Sequence, residues 1–126
     1  MHKLSSVAIT MVASLAGATQ AQSYPSRPIR LVVGFAAGGA TDVSARVVAQ
    51  KLSENLGQQV VVDNRPGASS NLASDIVAKS TPDGYTLLLF DNSFAIWPKL
   101  YPKLPFDPVK SFTHVSLVAE SPSMLV

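Results

Sequence analysis

Residues Ile29 to Asp42 read IRLVVGFAAGGATD, an order that builds an anion site. An apolar run (Ile29, Leu31, Val32, Val33) ends in small residues, Ala36, Ala37, Gly38, Gly39 and Ala40, and these lead into a helical pattern opening at Thr41 and Asp42. The first N–H groups of a helix have no intrahelical acceptor, and the aligned peptide dipoles put a partial positive charge there. Small side chains let a carboxylate or phosphate reach those donors. Candidate ligand-binding residues are therefore Ala37, Gly38, Gly39, Ala40, Thr41 and Asp42. Asp42 has three readings: a carboxylate that stabilises its helix start, a group that holds the loop while neighbouring amides face the ligand, or an acceptor for a ligand's ammonium.

Two further loops carry candidates. Asn92 and Ser93 can donate to ligand oxygens, with Asp91 fixing the turn through its own backbone, and ordinary turn chemistry explains the same residues equally well. Ser69, Ser70 and Asn71 form another helix start, for which plain capping is the simpler account. His114 has no partner at metal-ligand spacing and reads as a structural histidine in a strand, Trp97 as packing, and Arg65 as a solvated loop arginine. There is no cysteine, no arguable Ser/His/acid set and no carboxylate pair with assignable roles, so no catalytic residue, metal or cofactor is expected. A dinucleotide-binding enzyme remains an alternative, since Asp63 stands near the end of the second strand. Against it, the glycines fall at 34, 38 and 39 rather than as G-x-G-x-x-G.

These loops need elements to carry them. Helix one is expected from about Thr41 to Leu56, with Ala45, Val48, Ala49, Leu52 and Leu56 on one stripe and Gly57 as terminator. A strand follows at Gln59–Asp63, a second helix runs from Ser70 or Asn71 to Ser80, Pro82-Asp83-Gly84 turns, and a third strand spans Tyr85–Phe90. Trp97 to Pro108, rich in proline and aromatics, reads as an ordered surface crossing, and His114–Ala119 as a fourth strand. Apolar strands alternating with amphipathic helices predict a mainly parallel sheet covered by helices on both faces, with ligands at the carboxyl ends of its strands.

The ends are distinct. A short basic start, an uncharged apolar stretch from Val7 to Ala18, and small residues before Gln22 mark residues 1–21 as a cleaved secretory signal peptide. Ser123 to Val126 look like a strand that has only begun, which reads as a truncation. Ten Lys and Arg, one of them in the leader, stand interspersed among eight Asp and Glu, so nucleic acid is not an expected partner.

Together YPSRPIRLVVGFAAGGATD (Tyr24–Asp42), GQQVVVDNRPGA (Gly57–Ala68), PDGYTLL (Pro82–Leu88) and DNSFAIWPKLYPKLPFDPVKSF (Asp91–Phe112), leading into VSLVAESP (Val115–Pro122), resemble the Bug-type extracytoplasmic solute-binding receptors of tripartite tricarboxylate transporters. The resemblance implies a periplasmic-binding-protein type II-like α/β fold. Residues 22–126 would be the N-terminal portion of domain 1 of a two-domain protein, with the second domain absent and the sheet incomplete. It implies a periplasmic, non-enzymatic protein that binds a small organic carboxylate through the loop at Ala37–Thr41, with Asp42 beside it and Asn92 and Ser93 from the neighbouring strand end. Membrane subunits of such a transporter would be its partners. The family usually has proline at the place of Gly34, which predicts a looser loop here and a gain in stability from Gly34→Pro. A remnant without activity is the other reading of so short a chain.

Overall fold

The computed structural model describes residues 23–120; the expected signal peptide at 1–21 and the strand start expected at Ser123–Val126 lie outside the described residues. Five residues, Ile29–Val33, form β1, and the helix α1 follows at Ala40–Leu56. Next come β2 at Val60–Asn64, a single 3-10 turn at Ala68–Ser70, and α2 at Asn71–Ala78. β3 at Thr86–Leu89 leads through a 3-10 turn at Asn92–Ala95 into the short α3, Trp97–Leu100. The three strands are parallel in the order β2-β1-β3, with Leu31 opposite Val62 on one side and Leu87 on the other.

That order fixes where the helices go. The chain moves from β1 outward to β2, then back past β1 to β3. Because parallel crossovers are right-handed, the two connections lie on opposite faces. α1 accordingly packs on β1 and β2, and α2 on β3 and β1. Alternation along β1 serves both layers. Ile29, Leu31 and Val33 join Ala45, Ala49 and Val60 in one core, flanked by Leu52, Val62, Leu87 and Leu89. Val32 faces the other way and is fully buried. The expected stripe of α1 holds at Ala45 and Ala49, but Leu56 is exposed because the helix outruns the short sheet. α2 does not reach across to β2, so Val61 on that face is exposed, and the same face carries an ion cluster of Arg30, Asp63 and Arg65.

The region after β3 differs from its expectation in two respects. It opens with α3 rather than a plain crossing, and its aromatics build a second core: Phe94, Trp97 and Phe106 are buried, with ring centroids 5.0 Å apart for Phe94–Trp97 and 6.1 Å for Trp97–Phe106. Trp97 is a packing residue, as its type suggested. The strand expected at His114–Ala119 is absent. These residues carry no regular structure, and Val115, Leu117 and Val118 are exposed. Their apolar alternation suits a strand, but a strand needs a neighbouring ladder, and none is offered to them among the described residues. His114 is likewise exposed, touching only the edge of the Phe94 ring, so it is not a buried structural histidine.

At the amino ends of the strands, Tyr24 Oη donates to the Gly84 carbonyl at 2.7 Å, and the Ser26 N–H donates to Tyr85 Oη at 2.8 Å. This clasp ties the chain start to the turn before β3, at the edge away from the candidate loops.

Truncating the second core tests its weight. Trp97→Ala should cost about 3–5 kcal/mol in urea unfolding, the usual range for emptying a buried large aromatic site. Trp97→Phe should cost clearly less.

Candidate functional site

Parallel strands deliver all three carboxyl-end loops to one edge of the sheet. The loop after β1 is shaped around Asp42, which is 2% exposed. Its Oδ2 accepts the Gly38 N–H at 2.8 Å and Arg46 Nε at 2.9 Å, and its Oδ1 accepts Asn64 Nδ2 at 2.9 Å. Asn64 Nδ2 also reaches the Phe35 carbonyl at 3.0 Å. Gly38 supports this turn with φ +87°, a conformation that favours glycine. The hydrogen bond from Arg46, followed by those from Gly38 and Asn64, pulls the Asp42 carboxyl from 3.8 to about 2. Of its three sequence readings, the loop-holding one is what this geometry displays. Both oxygens are engaged and the side chain is buried, which leaves little room for a ligand ammonium to approach it.

The consequence for the helix start is specific. Gly39 is the N-cap of α1 and has no side chain to cap with, and the Gly39 N–H goes to the Ala36 carbonyl at 3.4 Å. The first N–H turned back into the helix is that of Val43, to Gly39 at 3.0 Å. The N–H groups of Ala40, Thr41 and Asp42 therefore have no acceptor within the described residues, at the positive end of a 17-residue helix, and of these three residues Asp42 is buried. Ala36 to Ala40 are exposed and Thr41 is half-buried, so solvent or a ligand can reach them. Gly38 and Gly39, by contrast, have their N–H groups engaged within the loop.

The loop after β2 is a strut. Ser70 is 2% exposed and its Oγ donates to the Gly34 carbonyl at 3.1 Å. Its hydroxyl is thus donated to the protein rather than turned to solvent. Asn71 is half-buried, with an Oδ1 that has no partner among the described residues. Ala68, Ser69 and Ser70 all have positive φ (46°, 51° and 68°). Gly34 is not a loose hinge. A Cβ there would lie 2.3 Å from Ser70 Cβ, so Gly34→Pro should destabilise, against the sequence expectation. In the loop after β3, the Ser93 N–H and hydroxyl both donate to Asp91 Oδ1, while Asn92 is exposed. Asp63, the acid a dinucleotide fold would use, is held by Arg30 and Arg65. Burial raises its pKa, but the two guanidinium groups outweigh that and hold it below the ordinary value.

Sequence reasoning missed Asn64, Arg46 and the Gly34–Ser70 contact. Arg46 was legible as the i+4 partner of Asp42. Asn64 and Gly34 act across strands, and no local pattern announces that.

The family pattern of the tripartite tricarboxylate transporter family receptors (TctC) matches residues 44–126. The chain belongs to that family. BugT of Bordetella pertussis is 45% identical over 90% of this chain and 36% of its own length. Among solved structures, the periplasmic binding protein BugD is 44% identical with a TM-score of 0.68, over 71% of this chain and 30% of that one. MatC from Rhodopseudomonas palustris, solved with bound malate, is 39% identical with a TM-score of 0.70, over 75% and 33%. The chain spans about a third of the length of the curated relatives it matches. The receptor fold is therefore present here in part, as a parallel sheet flanked by helices and not closed at its edges.

The Asp42 linkage has a defined sign. Its folded pKa lies below the ordinary value, so its contribution is present above pH 3.8 and is lost as pH falls through about 2. Asp42→Asn should lower the melting temperature at neutral pH and remove part of the loss that the parent chain shows between those two pH values. Melting curves across that range check both.

Proposed function

We propose that this chain is the carboxylate-binding wall of a periplasmic receptor. The Ala40 and Thr41 N–H groups at the start of α1 hold one carboxylate of a small organic acid. Asn92, exposed just beyond β3, and Asn71, at the start of α2 after the second loop, are further polar contacts. The observation that carries this reading is the uncapped start of α1, whose open amides sit in a loop fixed by Asp42 and Asn64. The malate seen in MatC makes a small dicarboxylate the first probe. Membrane subunits of a tripartite transporter are the proposed partners, and residues 1–21 the leader that is removed on export to the periplasm. Residues 22–126 are then the N-terminal portion of domain 1 of a two-domain clamp, and the mechanism is capture without bond making or breaking.

Proline at position 40 isolates the key donor. Ala40 is the first helical residue, its side chain is exposed, and Gly39 before it is extended (φ −77°, ψ 167°), which suits a following proline. Ala40→Pro should thus remove one N–H and keep the helix. A charge-assisted hydrogen bond contributes about 1.5–3 kcal/mol, so malate affinity of the intact gene product should fall at least about tenfold in calorimetry. An unchanged affinity would overturn the assignment to α1.

The isolated chain should behave differently. With one wall of the site open to water, such bonds lose most of their net value. Residues 22–126 alone should bind malate no better than about millimolar. Micromolar affinity for them would show that no opposing wall is needed.

A further inference from the structure

Gly34 and Ser70 compete for one side-chain position. Gly34 is buried at the end of β1, and its φ is not in the left-handed region, so its own backbone conformation does not demand glycine. Space does. A Cβ at residue 34 would stand 2.3 Å from Ser70 Cβ, 2.4 Å from Ser70 Oγ and 2.9 Å from Ser70 Cα. Ser70 in turn occupies a conformation (φ 68°) that glycine tolerates better, and it does so with its side chain buried and its hydroxyl on the Gly34 carbonyl. Each residue carries the side chain, or the absence of one, that the other requires.

We propose that this pair sets the spacing between the loop after β1 and the loop after β2, with Ser70 as a positioning residue for the anion-binding amides. Gly34 leads directly into the loop that Asp42 holds, and Ser70 directly precedes Asn71 and α2. A change in their separation therefore moves the two loops relative to each other without touching a ligand. The second half of this inference rests on the carboxylate reading above; the first half, that the two positions share one slot, does not.

The test is a double-mutant cycle of Gly34→Ala and Ser70→Gly in the intact gene product, read by melting temperature and by malate calorimetry. Gly34→Ala alone should lower the melting temperature by more than about 5 °C or fail to fold. In the Ser70→Gly background the same substitution should cost clearly less. The two closest contacts, to Ser70 Cβ and Oγ, are then gone, and the residual loss reflects the 2.9 Å approach to the Cα of residue 70, which only a backbone movement relieves. Equal losses in both backgrounds, or a double variant that does not fold, would overturn the shared slot. Ser70→Gly alone should weaken malate binding by about threefold or more, and the double variant should recover it. Parent-like affinity for the single variant would overturn the positioning role. If the parent protein itself does not bind malate, the carboxylate reading fails, while the melting temperatures still decide whether the slot is shared.

Discussion

A buried carboxylate must be surrounded by donors, and the candidate site is organised by how Asp42 meets that requirement. Asp42 is the third residue of α1, where an acid ordinarily folds back onto the N–H of the N-cap. Here it reaches one residue further, to Gly38, because the N-cap is Gly39 and the chain before it curls under the helix. The loop is therefore closed by the helix's own side chain, and the helix's first amides are left outside that closure. Had Gly39 been serine or aspartate, its side chain would have covered the N–H groups that the present arrangement leaves open. The same acid that holds the loop makes the site possible by acting behind it.

Asp42 could not hold the loop from within α1 alone. Asn64, the last residue of β2, supplies the second anchor, with one amide shared between Asp42 Oδ1 and the Phe35 carbonyl. β2 is parallel to β1 in a register that brings Asn64 opposite Val33, the residue from which the loop departs. The spacing of a parallel ladder is thereby transmitted into the loop. Arg46 completes the set by donating to both Asp42 and Asn64 while remaining largely in solvent. It balances the Asp42 charge beside the open amides, which the proposed carboxylate would otherwise meet.

The local patterns carried much of this. The glycine-rich turn, the α1 stripe at Ala45 and Ala49, the parallel order and the common edge of three loops all follow from spacing that can be read along the chain. What was not legible depends on pairs far apart in sequence. Ser70 looked like a cap because it precedes a helix, but its left-handed backbone turns the hydroxyl inward to Gly34. Gly34 looked permissive because the family usually has proline in its place, and it is in fact one of the most constrained glycines among the described residues. His114–Ala119 has strand-like composition, yet composition cannot supply the neighbouring strand that a ladder needs. The departures are therefore failures of locality rather than of residue preference.

The strained segment after β2 shows how such a scaffold can be held rigid. Three successive non-glycine residues with positive φ are unfavourable by roughly 1–2 kcal/mol each if left to themselves. They persist because both sides hold them. Ser70 is pinned to β1, the fully paired central strand, and the Ser69 hydroxyl meets that of Tyr101, just beyond α3. The second aromatic core thus does more than bury Trp97, since its flanking Tyr101 steadies the loop from the side opposite β1. In the proposed receptor a wall held in this way has little conformational freedom left to lose on binding, which lowers the entropic cost. Closure around a ligand would then come from a body opposing these loops, since those after β1 and β2 are already tied to the strand ends.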